Sequence, residues 1–112
     1  IGFVQDLSSL QQKEIKREFF AGIVSAMGTY AYNSERNSHS LTLSDFDVSF
    51  IQSIAALAKE LDLSPRCYNV KSWSGNNHTR IVFYGLHCKQ LYAEGYVRNP
   101  ALYAHKSLVG FL

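Results

Sequence analysis

Two amphipathic helical segments, each followed by a pair of strand-like runs joined by a polar turn, succeed one another along this chain. Helices with one apolar face and strands that alternate must bury those faces against each other, so this order predicts helices on one side of an antiparallel sheet. The first helix is expected over residues 6–27, where an Asp and two Ser offer an N-cap and Leu10, Ile15, Phe19, Ile23 and Met27 recur at near-helical spacing. Gly28 stops it. The runs TYAYNSE and SHSLTLS then predict a hairpin about the polar turn ERNSH.

The second helix is expected within SDFDVSFIQSIAALAKELDL, where acidic residues occupy the first turn and Val48, Ile51, Ile54, Leu57, Ala58 and Leu61 form the apolar face. PRCYNVKSW and TRIVFYG follow as a second hairpin around SGNNH. A short helix in LHCKQLYAEGYVRNP and a closing helix in ALYAHKSLVGFL complete an α-β-β-α-β-β-α-α order in the α+β class, with a four-stranded sheet covered on one face.

At 112 residues the chain holds one domain, 1–112, with room for its own core but not for a second. No stretch approaches the roughly 20 apolar residues of a membrane span, so no membrane partner is expected. The opening IGFVQDLSSL has neither the basic nor the long apolar region of a signal peptide, which leaves the compartment open, with an intracellular setting as the working expectation. Cys67 and Cys88 are too few for a disulfide framework and lack zinc spacing, so both are read as reduced core residues. The net charge of +2 is compatible with nucleic-acid contact without requiring it.

The uncovered sheet face decides what such a domain does. Alternation points Leu41 and Leu43 to the helices and Ser38, Ser40 and Thr42 away, and on the fourth strand Ile81 and Phe83 inward with Arg80 and Val82 outward. On the first strand the large Tyr30 and Tyr32 are expected inward, leaving Ala31, Asn33 and Glu35 outward. On the third, Tyr68 and Val70 are expected inward and Asn69, Lys71 and Trp73 outward. A sheet face bearing Asn, Ser, Thr, Lys and Arg offers donors and acceptors for base edges, and a β-ribbon fits the major groove. The expected DNA-binding residues are Asn33, Ser38, Ser40, Thr42, Asn69, Lys71 and Arg80, with Arg36 and Arg66 as phosphate contacts.

The stretch FAGIVSAMG at 20–28 resembles the LAGLIDADG motif of homing endonucleases, maturases and intein endonuclease domains, through Phe20, Ala21, Gly22, Ile23, Val24, Ala26 and Gly28. The segments LTLSDFDVSFIQSIAALAKELDL and SGNNHTRIVFYG are similar to later parts of that unit, so the resemblance covers about residues 7–112. It implies a saddle of two such units laid along a DNA duplex. The two motif helices would pack on each other through Ala21, Gly22 and Ser25, whether the second unit is a copy of this chain or the other half of a longer one.

The chain departs from the motif where the family's chemistry resides. The resemblance implies an acidic residue at the penultimate position, where one carboxylate from each half holds divalent metal; here it is Met27. The earlier acidic position is Ser25. A thioether is too soft to replace carboxylate oxygen on Mg²⁺, so no metal ligand and no cofactor are expected from this half, and Mg²⁺ only if a partner half supplies the carboxylates. Lys106, with His105 beside it, could serve as the basic residue the family often keeps near the cleavage region. Asp45 and Asp47 read as helix caps rather than metal ligands, and His39, His78 and His87 as turn or surface residues.

The resulting expectation is a sequence-specific double-stranded DNA-binding domain of LAGLIDADG type that has lost cleavage, acting as a dimer or pseudo-dimer. The alternatives are an active Mg²⁺-dependent homing endonuclease, intron- or intein-encoded, completed by a second half, and an RNA-binding maturase or regulator that reuses the fold.

Overall fold

The computed structural model describes residues 9–45, 47–71 and 77–112. Helix α1 spans Ser9–Met27, strands β1 and β2 Thr29–Asn33 and Ser38–Asp45, helix α2 Val48–Glu60, strands β3 and β4 Arg66–Lys71 and Asn77–Tyr84, and helix α3 Leu86–Ala93. The protein is an α+β domain whose four strands form one antiparallel sheet in the order β1-β2-β4-β3. The expected N-cap of α1 and the SGNNH turn fall largely outside the described residues.

Helix α1 ends where a side chain would not fit. The Gly28 amide donates to the Val24 carbonyl at 2.8 Å, and a Cβ on Gly28 would stand 2.4 Å from that oxygen and 3.2 Å from Leu41. Close approach, not a left-handed backbone, therefore selects glycine here, and it brings the end of the helix against the middle of β2. Phe20, Ala21 and Val24 fill the interface, with Phe20 edge-on to Phe83 (centroids 6.2 Å apart) and Tyr96 (5.4 Å).

The buried stripe of α1 is thus displaced from the expected one. Phe19 is 53% exposed and Leu10 is also exposed, whereas Ile23 and Met27 pack partly against the core. Phe19 and Phe20 are about 100° apart around the helix, and the fit of Gly28 to Leu41 rotates Phe20 inward.

Helix α2 forms as its sequence dictates. Asp47 caps it by accepting from the Phe50 amide at 3.0 Å, and Asp45 in turn accepts from the Asp47 amide at 2.9 Å. At its end Leu63 donates to the Ala58 carbonyl and Asp62 to that of Lys59, with Asp62 in the left-handed region at φ 62°, which closes a Schellman motif. Ile51, Ile54, Ala55 and Ala58 are buried against the sheet.

The expected closing helix is replaced by two short 3₁₀ turns, Pro100–Tyr103 and Lys106–Leu108. Asn99 and His105 each accept from the amide two residues ahead, which starts a new turn at each, and Gly110 at φ 87° ends the second region. Leu102 and Leu108 still reach the core. Cys88 is buried among these residues, and burial pushes its thiol up to about 12. Cys67, expected inside, is exposed on the edge strand β3.

Candidate nucleic-acid interface

The strand registers sort the residues of the sheet into two faces. Tyr30 pairs with Leu41, Leu41 with Phe83 and Leu43 with Ile81, all on the helical side. Ser40 pairs with Tyr84, Thr42 with Val82 and Ser44 with Arg80 on the other. In β2 the burial alternates with the register: His39, Leu41 and Leu43 are buried, and Ser38, Ser40 and Thr42 are half-open. The outward placement expected for Ser38, Ser40, Thr42 and Arg80 agrees with this register.

Strand β3 lies in the opposite phase from the expected one. Cys67 pairs with Ile81 and Asn69 with Thr79, so both belong to the helical side, whereas Arg66 and Tyr68 pair with Val82 and Arg80 and lie on the open face. Asn69 accepts a hydrogen bond from the Thr79 hydroxyl at 3.1 Å and lines a groove against Ile51, Ala55 and Lys59 of α2. It is therefore not placed to read DNA from the open face. Helix α2 packs over β2 and β4 rather than over this edge strand, so Cys67 and Asn69 stay exposed on the helical side, and Tyr68 takes the open face beside Arg80. The backbone of Lys71 pairs with Asn77; the side chain of Lys71, and Trp73 as a whole, lie outside what is described.

Other candidates turn out to have local duties. Asn33 accepts from the amides of Glu35 (3.1 Å) and Arg36 (3.3 Å), forming the Asx turn that reverses the first hairpin, and Asn37 at φ 47° accepts from the Tyr32 hydroxyl. Arg36 is left exposed at the hairpin tip. His39, expected at the surface, is only 6% exposed, because it occupies the inner phase of β2 and stacks on Phe111.

Charge is divided between the two sides of the domain. Lys13 pairs with Asp62, Lys16 with Glu60, Arg17 with Glu94 and Arg98 with Glu18, all on the helical side. Such exposed pairs add little stability, yet they neutralise that side. Among the described residues, the outward strand positions carry Arg66, Arg80, Tyr68, Tyr84, His78 and hydroxyl residues, and no carboxylate.

At one end of this face a groove of about 630 Å³ is lined by Arg36, Ser64, Pro65, Arg66, Tyr68, Tyr84 and His87. Tyr84 first, and Arg66 after it, draw the Tyr68 phenol below its ordinary value, and Tyr68 in turn raises that of Tyr84. The Arg80 guanidinium lies 5.7 Å from the Tyr68 ring centre. Val82 sits on this face between the two tyrosines in register and is nonetheless 3% exposed. The sequence signal for this cluster was Tyr68 and Tyr84 at like phase on paired strands, hidden by the reversed reading of β3.

The proposed interface helix shows a mixed picture. Gly22 is exposed, and a Cβ there would touch nothing within 4 Å. Ala21 is fully buried within the domain, and Ser25 is engaged from inside the chain. The Ser25 hydroxyl accepts from the Arg98 amide at 3.0 Å, and its carbonyl accepts from Asn99 at the same distance. Arg98 also binds Glu18 with both guanidinium arms, spanning α1 on either side of Ala21. The small residue and the serine thus accommodate the chain's own 96–99 segment.

Among the described residues, no carboxylate set for a divalent metal gathers at the foot of α1. Met27 packs partly against the core, and Glu18 is held by Arg98. Asp45 and Asp47 are engaged as caps, and among the described residues no three His, Cys, Asp or Glu side chains gather into a ligand set. This donor set does not fit Mg²⁺. Lys106 is exposed in the second 3₁₀ turn, next to His105, which caps it. No helix among the described residues is long and apolar enough to cross a membrane.

The fold and the face together define an α+β domain with one helix-covered and one open, arginine-bearing side of its sheet. No protein family, curated protein or solved structure matches the chain.

Proposed function

We propose that this chain is a double-stranded DNA-binding domain of the LAGLIDADG type that does not cleave its target. The observation that carries this reading is the open sheet face, where Arg66 and Arg80 stand among hydroxyl side chains with no carboxylate at any described outward strand position. Cations without acidic neighbours neutralise phosphates, and Ser38, Ser40 and Thr42 supply short donors and acceptors for base edges. The helix–hairpin–helix–hairpin–helix order is the one the resemblance implies.

A second unit extends the face along the duplex. In a homodimer, the exposed α1 surface bearing Phe19, Gly22 and Ala26 meets its copy, with Gly22 permitting close approach. Each half brings Met27 where the family places its acid, so the pair binds without a metal-held water and leaves both strands intact.

The test is fluorescence anisotropy with duplex DNA at two salt concentrations, with Mg²⁺ present and the strands examined afterwards on a denaturing gel. Salt-dependent binding with intact strands supports the reading. Strand breaks would favour an endonuclease completed by a second half, and preference for structured RNA a maturase-like role.

A further inference from the structure

The geometry points to a seat for one unpaired nucleotide at the groove of Tyr68 and Tyr84, on a nucleic-acid strand that continues along the sheet. This deepens the reading above and rests on it.

The groove exists because β3 starts late. Arg66 is the first residue of β3 and pairs with Val82, so the ladder ends two residues short of Tyr84 on that side. Pro65 has no amide proton to extend it. Ser64 and Pro65 instead form one wall of the groove, and Arg36 at the tip of the first hairpin lines it too. Tyr84, 40% exposed, is left with Ser40 as its only strand neighbour among the described residues.

The chemistry of the lining fits a nucleotide better than a bare phosphate or an apolar group. Tyr68 and Tyr84 stand on either side of the buried Val82 in the register of the open face, and both line the groove. An aromatic ring stacks on a base, and Arg36 and Arg66 supply cations for the phosphate attached to it. The volume of about 630 Å³ lies within the range of sites for small organic ligands. A base inside a duplex has both faces covered by its neighbours and cannot stack on a tyrosine ring. The groove therefore favours a base that has left the stack, whether bulged, flipped or single-stranded.

The experiment compares, by anisotropy, a fully paired labelled duplex with the same duplex carrying one bulged adenosine, and uses adenosine monophosphate as competitor. The bulged duplex should bind about tenfold more tightly, the order expected for one base–aromatic stack. Tyr84→Leu should bring the ratio to about one, and Tyr84→Trp should keep it, which separates loss of stacking from loss of folding. Equal affinities for the two duplexes in the unaltered protein would overturn the nucleotide seat and leave the DNA-binding reading standing. Displacement by free adenosine monophosphate at equal affinities would likewise overturn it, assigning the groove to a free mononucleotide. Binding of neither duplex would overturn the duplex reading; a single-stranded oligonucleotide bound in a Tyr84-dependent way would then still support the seat, and its failure to bind would overturn both.

Discussion

The Tyr30 hydroxyl lies 2.6 Å from Nδ1 of His39 on the inner side of the first hairpin. It also lies 2.7 Å from the Ser107 hydroxyl, which is 2.6 Å from Nδ1 of His105. Because the Ser107 amide donates to that same nitrogen at 3.1 Å, His105 Nδ1 carries a lone pair. Proton counting then runs one way: Ser107 donates to His105, Tyr30 to Ser107, and His39 through its Nδ1–H to Tyr30. The chain ties the C-terminal 3₁₀ turn to β1 and β2, and Phe111 covers it by stacking on His39 at 3.7 Å.

Stability is therefore expected to fall in mild acid. Burial first, and electrostatic interaction with the neighbouring His105 second, lower the pKa of His39 from its ordinary 6.5. The unfolded chain thus binds a proton that the folded one refuses. The stabilising contribution is complete above pH 6.5 and is lost as the pH falls from there through the lower folded value. The unfolding temperature, followed by circular dichroism from pH 7.5 to 5, should decline below 6.5 in the natural protein and decline less in His39→Gln. Parallel curves would contradict this.

Gly22 and Gly28 should respond in opposite directions to alanine. Nothing lies near a Cβ at Gly22, so Gly22→Ala should raise stability by about 0.5–1 kcal/mol through helix propensity. Gly28→Ala sets a carbon against the Val24 carbonyl and should cost about 1–3 kcal/mol. Urea titration of the two variants measures both effects.

Asp47→Ala should cost about 1 kcal/mol, the usual value of an N-cap. Millimolar Mg²⁺ should leave the unfolding temperature of the natural protein unchanged, because Asp45 and Asp47 serve backbone amides. A Mg²⁺-dependent rise that disappears in Asp47→Ala would show that the pair binds metal.

Arg66→Ala and Arg80→Ala should each weaken duplex binding and lower the slope of log affinity against log salt by about one, the signature of a lost phosphate contact. Asn69→Ala, on the helical side, should leave that slope unchanged.

The sequence was most legible where its pattern was redundant. In β2 the alternation of Leu41 and Leu43 with Ser40, Thr42 and Ser44 admits one phase, and the Asp47 cap and apolar period of α2 agree with each other. Strand β3 has no such redundancy. Size makes Tyr68 and Val70 the inner residues of the sequence reading, but α2 hardly covers this edge strand, so there is no core there for large side chains to fill; Cys67 and Asn69 lie exposed on the helical side, and Tyr68 gains Arg80 and the groove it lines with Arg66 and Tyr84 on the open side. The 98–99 contacts with α1 were also unreadable, since they join residues more than 70 positions apart through Ser25. The tail misled for a related reason: Ala101, Leu102 and Leu108 follow a helical rhythm, while local side-chain caps at Asn99 and His105 divide it.

Selection from a randomised duplex DNA library with Mg²⁺ present tests the central claim most directly, because binding and strand breakage are read from the same tube. The account predicts an enriched sequence of about two helical turns whose strands remain intact. Cleaved or nicked product would contradict the assignment of Met27 as a lost catalytic position, and no enrichment at all would contradict the open sheet face as a duplex reader.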